Sequence, residues 1–190
     1  MIQRPVIYVR QITNLSDARY CAGMGADMLG YVIDPADPDY VSPKLYQEMS
    51  GWVAGPKRVV ELANAHLDNN ELIANYSPDL VHIRSKFIGD YQLPGLPLIV
   101  EVNFSESEDV IRMISDLKLD VAYLLVTGLN NQTFLSSYPI LVELERNTSS
   151  VIEFLDSYNA DGLALQGSRE DAPGLKDYDH LSRVLEELDN

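Results

Sequence analysis

Cysteine is almost missing: the 190-residue chain holds 1, Cys21. That excludes an internal disulfide and any cysteine-based metal cluster. Cys21 stands among Ala18, Ala22 and Met24 in a helix-like stretch, where a small buried packing residue is expected rather than a nucleophile. Positive charge is scarce as well. Only 14 Lys and Arg face 29 Asp and Glu, a formal net charge of −15. Such an imbalance favours solubility and repels polyanions, so neither a nucleic-acid backbone nor an anionic membrane is expected as a partner. The acidic residues run along the whole chain, as on a solvated surface. No apolar run approaches a membrane span, and the opening "MIQRPVIYVR" lacks the pattern of a secretory signal. A cytoplasmic protein is the expectation. The 3 histidines, His66, His82 and His180, have no partner at metal-ligand spacing. No metal and no other cofactor is therefore expected.

What is present is a regular alternation. Short runs rich in Val, Ile, Leu and Tyr lie at 5–9, 28–33, 58–63, 80–84, 97–102, 121–126, 139–144 and 161–166. They are too short for helices and read as buried parallel strands. Amphipathic stretches separate them. "SDARYCAGMG" offers Ser16 as N-cap and Gly25 as terminator; "SESEDVIRMISDLK" offers Ser105 or Ser107. "TSSVIEFLDSY" and "YDHLSRVLEEL" follow the same rule, whereas the segments after the fourth and sixth strands are too short for a full helix. Eight strand and crossover units predict a single α/β domain over 1–190. Eight is the number that closes a (β/α)₈ barrel, and an open doubly wound sheet is the alternative on pattern alone. Of the 11 tyrosines, Tyr20, Tyr31, Tyr40 and Tyr46 fall where core, rim or an interface would use them.

Several stretches resemble phosphoribosylanthranilate isomerase, the tryptophan-pathway enzyme that performs an Amadori rearrangement on a small (β/α)₈ TIM barrel. They are "ITNLSDA" (12–18), "GADMLGYVI" (25–33) beside the family's GADxxGFxF, "YVSP" (40–43), and "PGLKD" (173–177) beside its PGxKD. Glu170 stands where the family has the glutamate of SGVE. The matches are collinear over essentially the whole chain. The resemblance implies a minimal closed barrel with shortened helices after strands four and six.

It also implies which positions to inspect, since this barrel class works at the C-terminal ends of its strands. The family's KICGIT reads "YVRQIT" here, with Arg10 at the cysteine base and Gln11 at the glycine. A guanidinium is always protonated and has no lone pair to take a proton. The family's acid, the aspartate of LLDS, falls on Val126 of "LLVT". Each lost acid or base costs roughly 10²–10⁴ in rate. Asp37 and Asp39 replace the serine and arginine of SxRxV, and Arg84 replaces the histidine of VQLHG. The AGGL turn reads "ELER" (143–146), with no glycine and with Glu143 and Glu145 adding negative charge, and of the SSG turn only Gly167, before Ser168, is left.

The strand ends thus carry Arg10, Asp34, Glu61, Arg84, Glu101, Glu143, Glu145 and Gln166, with Asp39 beside them and Gly167, Ser168 and Glu170 in the last loop. Charges in a confined mouth must pair. The leading expectation is an Arg–carboxylate network centred on Arg10 and Arg84 that plugs the mouth, in a barrel without isomerase chemistry that binds a small molecule, a protein partner or its own copy. A divergent enzyme is the second reading, with Arg10 or Arg84 clamping a ligand and Glu61, Glu101 or Glu143 as base. A true isomerase using Glu101 or Asp34 is the third.

Overall fold

Alternate residues of each apolar run have opposite destinations, and this closes the sheet. The computed structural model describes residues 4–62, 69–89, 95–129, 136–144, 148, 150–167 and 179–189. Its strands are β1 (Val6–Arg10), β2 (Met28–Val32), β3 (Lys57–Leu62), β4 (Leu80–Arg84), β5 (Leu98–Asn103), β6 (Val121–Thr127), β7 (Ile140–Glu143) and β8 (Gly162–Gln166). They pair in parallel in chain order, and β8 returns to β1 from Val6↔Gly162 to Arg10↔Gln166. One parity, including Tyr8, Val59, Ile99 and Leu141, packs on the barrel axis. The other, including Ile7, Leu29, Val60, Leu124 and Val142, packs with Ala18, Met49, Ile114 and Leu155 of the surrounding helices. The result is the expected closed (β/α)₈ barrel.

The helices are α1 (Leu15–Gly23), α2 (Pro43–Ser50), α3 (Asn69–Tyr76), α4 (Ser107–Leu117), α5 (Val151–Tyr158) and α6 (Asp179–Asp189). After β4 the described residues form only a 3₁₀ turn, Ser85–Phe87, and none of those between β6 and β7 is helical. Local chemistry corrects two expected caps. Asn14, not Ser16, caps α1, because Asn14 is extended and its side-chain oxygen accepts the Asp17 N–H at 2.9 Å. Before α4, Asn103 takes the Ser105 N–H, while the Ser107 hydroxyl turns back to the Phe104 carbonyl at 2.7 Å. Ser150 does cap α5. Tyr31 and Tyr46 sit in the core, where Tyr46 meets Tyr31 and Tyr76 edge-on with ring centroids 5.1 Å apart.

A short pattern, an aspartate opening an apolar run, recurs in "ADMLG", "PDLVH" and "ADGLA". Asp27, Asp79 and Asp161 each accept a backbone N–H from the preceding strand: Ile7 at 2.8 Å, Arg58 at 2.8 Å and Ile140 at 2.7 Å. These carboxylates fasten the N-terminal rim opposite the strand ends that matter below. Asp79 also holds the Arg58 side chain at 3.1 Å. Asp79→Ala is expected to lower stability by about 1–2 kcal/mol, the range for a hydrogen bond to a half-exposed charged group. Urea unfolding with an unchanged slope would register it.

Candidate functional site

Arg10 ends β1 with the same parity as Tyr8, so its side chain enters the barrel. There its Nη2 lies 3.0 Å from Glu101 Oε2, its Nε 3.4 Å from Glu61 Oε2 and its Nη1 3.5 Å from Glu143 Oε1. These carboxylates come from β5, β3 and β7. Barrels of this type stack side chains in layers of four drawn from alternate strands; here one whole layer is an arginine and three glutamates. Arg10 is 8% exposed and Glu61 5%, so the pairing takes place largely away from water.

Each carboxylate has a second partner that fixes its direction. Glu61 Oε1 accepts the Gln11 N–H at 2.9 Å. Glu101 Oε2 lies 3.3 Å from His82 Nε2, and Glu143 Oε1 accepts from Gln166 Nε2 at 3.4 Å. His82 belongs to the layer beneath. Its Nδ1 is 3.2 Å from the Tyr8 hydroxyl and 3.7 Å from Glu61 Oε2, and the two rings meet edge-on. Arg84 closes one side at 3.6 Å from Glu101 Oε1, its side chain 46% exposed.

Two backbone features make this possible. Gln11 has φ +56°, a left-handed conformation that costs a non-glycine residue roughly 1–2 kcal/mol. It turns the Gln11 N–H onto Glu61, at the position where the resemblance has a glycine. Gly30 of β2 leaves the space that Glu61 and Tyr8 fill: a Cβ there would collide with Glu61 Oε1 and lie 2.7 Å from the Tyr8 hydroxyl. Among the described residues, a cavity at the mouth edged by Gln11, Asp37, His82 and Arg84 has a volume of about 40 Å³. That holds a few waters.

Burial resists charge on Glu101, but the His82 hydrogen bond and the nearby Arg10, His82 and Arg84 charges outweigh it and hold its carboxyl at about 2. Burial likewise opposes the Arg10 charge, and Glu61 with the other anions more than compensates, raising it above the ordinary guanidinium value. Tyr8 is pushed well above its usual value by burial first and then by Glu61, so its hydroxyl stays protonated. A carboxyl lowered on folding stabilises the native state above its unfolded value near 4.5, and the contribution is lost as pH falls toward 2. For Glu101 the upper bound is on the order of 3 kcal/mol. Glu101→Gln is expected to flatten the fall in melting temperature between about pH 5 and pH 2, as thermal scans across that range would record.

The structure brings together Arg10, Glu61, Arg84, Glu101, Glu143 and Gln166 of the expected set. Arg84 is at the edge of the network rather than a second centre. Asp34 and Asp39 are buried in the turn after β2, where Asp34 Oδ1 accepts the Ala36 N–H and the Asp39 N–H reaches Asp37 Oδ1, each at 2.9 Å. Asp37, not those two, edges the mouth. Gly167 is fixed by backbone: its N–H donates to the Arg10 carbonyl at 2.7 Å, and a Cβ would come within 2.8 Å of that oxygen. Glu145, Ser168 and Glu170 lie outside the described residues, as does the "PGLKD" loop. Val126, where the resemblance puts the acid, packs outward among the helix-facing residues. Strand alternation makes Thr127 the mouth-facing residue of β6, paired with Asn103 as Leu125 is with Glu101. Tyr8, Gly30 and the inward course of His82 were not anticipated. Period-two counting back from Arg10 and Arg84 would have found Tyr8 and His82. Among the described residues, no group of His, Cys, Asp and Glu is arranged to hold a metal ion, and no helix is long and apolar enough to cross a membrane.

No family model matches the chain, and no curated protein matches it in sequence. Solved structures do. Phosphoribosylanthranilate isomerase from Thermotoga maritima superposes with a TM-score of 0.69 at 17% identity, over 97% of this chain and 98% of that one. The structure of N-(5'-phosphoribosyl)anthranilate isomerase from Pyrococcus furiosus gives 0.70 at 14%, over 98% and 99%. Monomers of the dimeric Thermotoga maritima enzyme give 0.69 at 18%, over 97% and 98%. Over its described residues, this chain has the closed-barrel fold of the phosphoribosylanthranilate isomerases.

Proposed function

We propose that this is a phosphoribosylanthranilate isomerase-like barrel that has lost the Amadori chemistry, and that it acts, as one cytoplasmic domain, by binding a small molecule or by contact with a protein partner or its own copy. One observation carries the reading: a buried guanidinium bound by three carboxylates stands where the isomerase base would act. Arg10 takes no proton. Thr127, the inward residue of β6, is too weak an acid to supply one at neutral pH. A phosphorylated, carboxylate-bearing substrate would meet the carboxylates of Glu61, Glu101 and Glu143 at the strand ends. Rescue by Glu101 or Asp34 has little support, since Glu101, its carboxyl held down to about 2, is ionised at neutral pH and has no proton to give, and Asp34 is engaged in its own turn. The test is turnover of phosphoribosylanthranilate by the purified protein, together with complementation of a tryptophan auxotroph. Background rates and no growth are expected; conversion well above background defeats the reading.

The string Tyr8–His82–Glu101 favours a second reading, a divergent enzyme, because a histidine between a phenol and a carboxylate can pass a proton. It would need a substrate that reaches His82 past Arg10. Activity on any small molecule that disappears in His82→Gln and survives in a surface variant such as Arg112→Ala would select it.

A further inference from the structure

The charged layer has the construction of a receptor. Its three carboxylates converge on one planar cation along three different N–H directions, and each is held from behind by a group that is not Arg10: the Gln11 N–H, His82 Nε2 and Gln166 Nε2. Gly30 supplies the space for Glu61, and the strained Gln11 supplies its orientation. A guanidinium matches such a site better than an ammonium, because its planar fork presents several fixed donors to several oxygens whereas an ammonium is a compact point charge. Only the side chain of Arg10 joins that guanidinium to the chain.

We propose that the C-terminal end of this barrel is a guanidinium receptor which the chain fills with its own Arg10, so that the ligand class it admits when that side chain is absent or withdrawn is a small guanidinium or amidinium cation and not an anion. The inference rests on the reading of the mouth as a binding site without isomerase chemistry, and it names the ligand class. Arg10 is then an autoinhibitory occupant. Being covalently attached, it is present at a high effective concentration, so free cations do not compete in the wild type.

Truncating Arg10 to alanine removes two methylenes and the guanidinium, which together are ethylguanidinium. In thermal unfolding of the full chain, Arg10→Ala with a saturating millimolar amount of ethylguanidinium chloride is expected to melt about 4 °C or more above the same variant in equal sodium chloride. Ethylammonium chloride is expected to give less than half that rise. The wild type is expected to respond to neither beyond the salt control, and Arg10→Ala/Glu101→Gln to lose the response. A rise no greater than with sodium chloride, an equal rise with ethylammonium, or an equal rise in the wild type overturns the proposal. Should Arg10→Ala fail to fold alone, Arg10→Ala/Glu143→Gln has one carboxylate fewer to repel the others. If neither folds even with ethylguanidinium present, the proposal also fails. Turnover of phosphoribosylanthranilate by the wild type would strike the functional reading while leaving this result intact, so the two failures are distinguishable.

Discussion

Arg10→Ala in the absence of any added cation is expected to lower stability by about 3–5 kcal/mol and the melting temperature by roughly 10 °C. The magnitude follows from where the charges sit. Glu61 is 5% exposed, and Glu101 is held ionised at physiological pH by its neighbours. Removing the guanidinium leaves three carboxylates facing one another, and among the described residues the outer Arg84 is the remaining permanent cation beside them. An uncompensated buried charge is far more costly than the net worth of the pair that neutralised it. The same reasoning predicts a contrast. Replacing the layer together, Arg10→Met with Glu61→Leu, Glu101→Leu and Glu143→Leu, is expected to cost less than Arg10→Ala alone, because no buried charge is left uncompensated, although the Gln11 N–H and His82 lose their acceptors. Urea titrations of both variants measure the two effects. A loss below about 1 kcal/mol in the single variant would mean that the ion pairs behave like solvated surface contacts, and the picture of a sealed mouth would fall.

The large pattern of the fold was legible because it depends on hydrophobicity alone. Eight apolar runs at regular intervals are enough to propose the barrel, and the positions of Arg10, Glu61, Arg84, Glu101 and Glu143 at strand ends are enough to propose that they meet. What alternation predicts only when the register is known was misplaced. Val126 and Thr127 are adjacent in sequence and face opposite sides of the sheet; matching a remote motif by letters cannot choose between them, and a one-residue slip exchanges the two faces. The identity of the central cation was not evident either. Arg10 and Arg84 read alike at the ends of β1 and β4, but Arg10 lies in the layer shared with Glu61, Glu101 and Glu143, and Arg84 one level nearer solvent. Asn14 and Ser16 are equally good caps by residue type, so the cap was decided by which one the chain holds extended. Gln11 is the clearest case of a feature hidden from sequence. Nothing in its residue type suggests φ +56°, and only the Glu61 carboxylate waiting for its N–H explains why the strain is tolerated.

Gly30→Ala tests the site from the other side, by adding a methyl group rather than deleting a charge. In a strand interior this substitution ordinarily helps, by about 0.4–1 kcal/mol, because alanine has less backbone freedom to lose on folding. Here the opposite sign is expected. The new Cβ would meet Glu61 Oε1 and the Tyr8 hydroxyl, and neither is the loose end of a flexible side chain. Glu61 is fixed by Arg10 on one oxygen and by Gln11 on the other, and Tyr8 is fully buried against His82. Making room therefore means breaking one of the Glu61 contacts, in addition to the usual cost of overpacking. Together these are expected to lower stability by about 3–4 kcal/mol. The cause can be isolated in a double-mutant cycle. Glu61→Asp draws the carboxylate back by about one carbon–carbon bond, so Gly30→Ala should be less harmful in that background, with a coupling of about 1–2 kcal/mol. Tyr8→Phe should relieve it less, because the Glu61 contact is the closer one. If Gly30→Ala is neutral or stabilising on its own, Glu61 is not held where the ion network requires it, and the glycine belongs to the barrel's backbone geometry rather than to the charged layer above it.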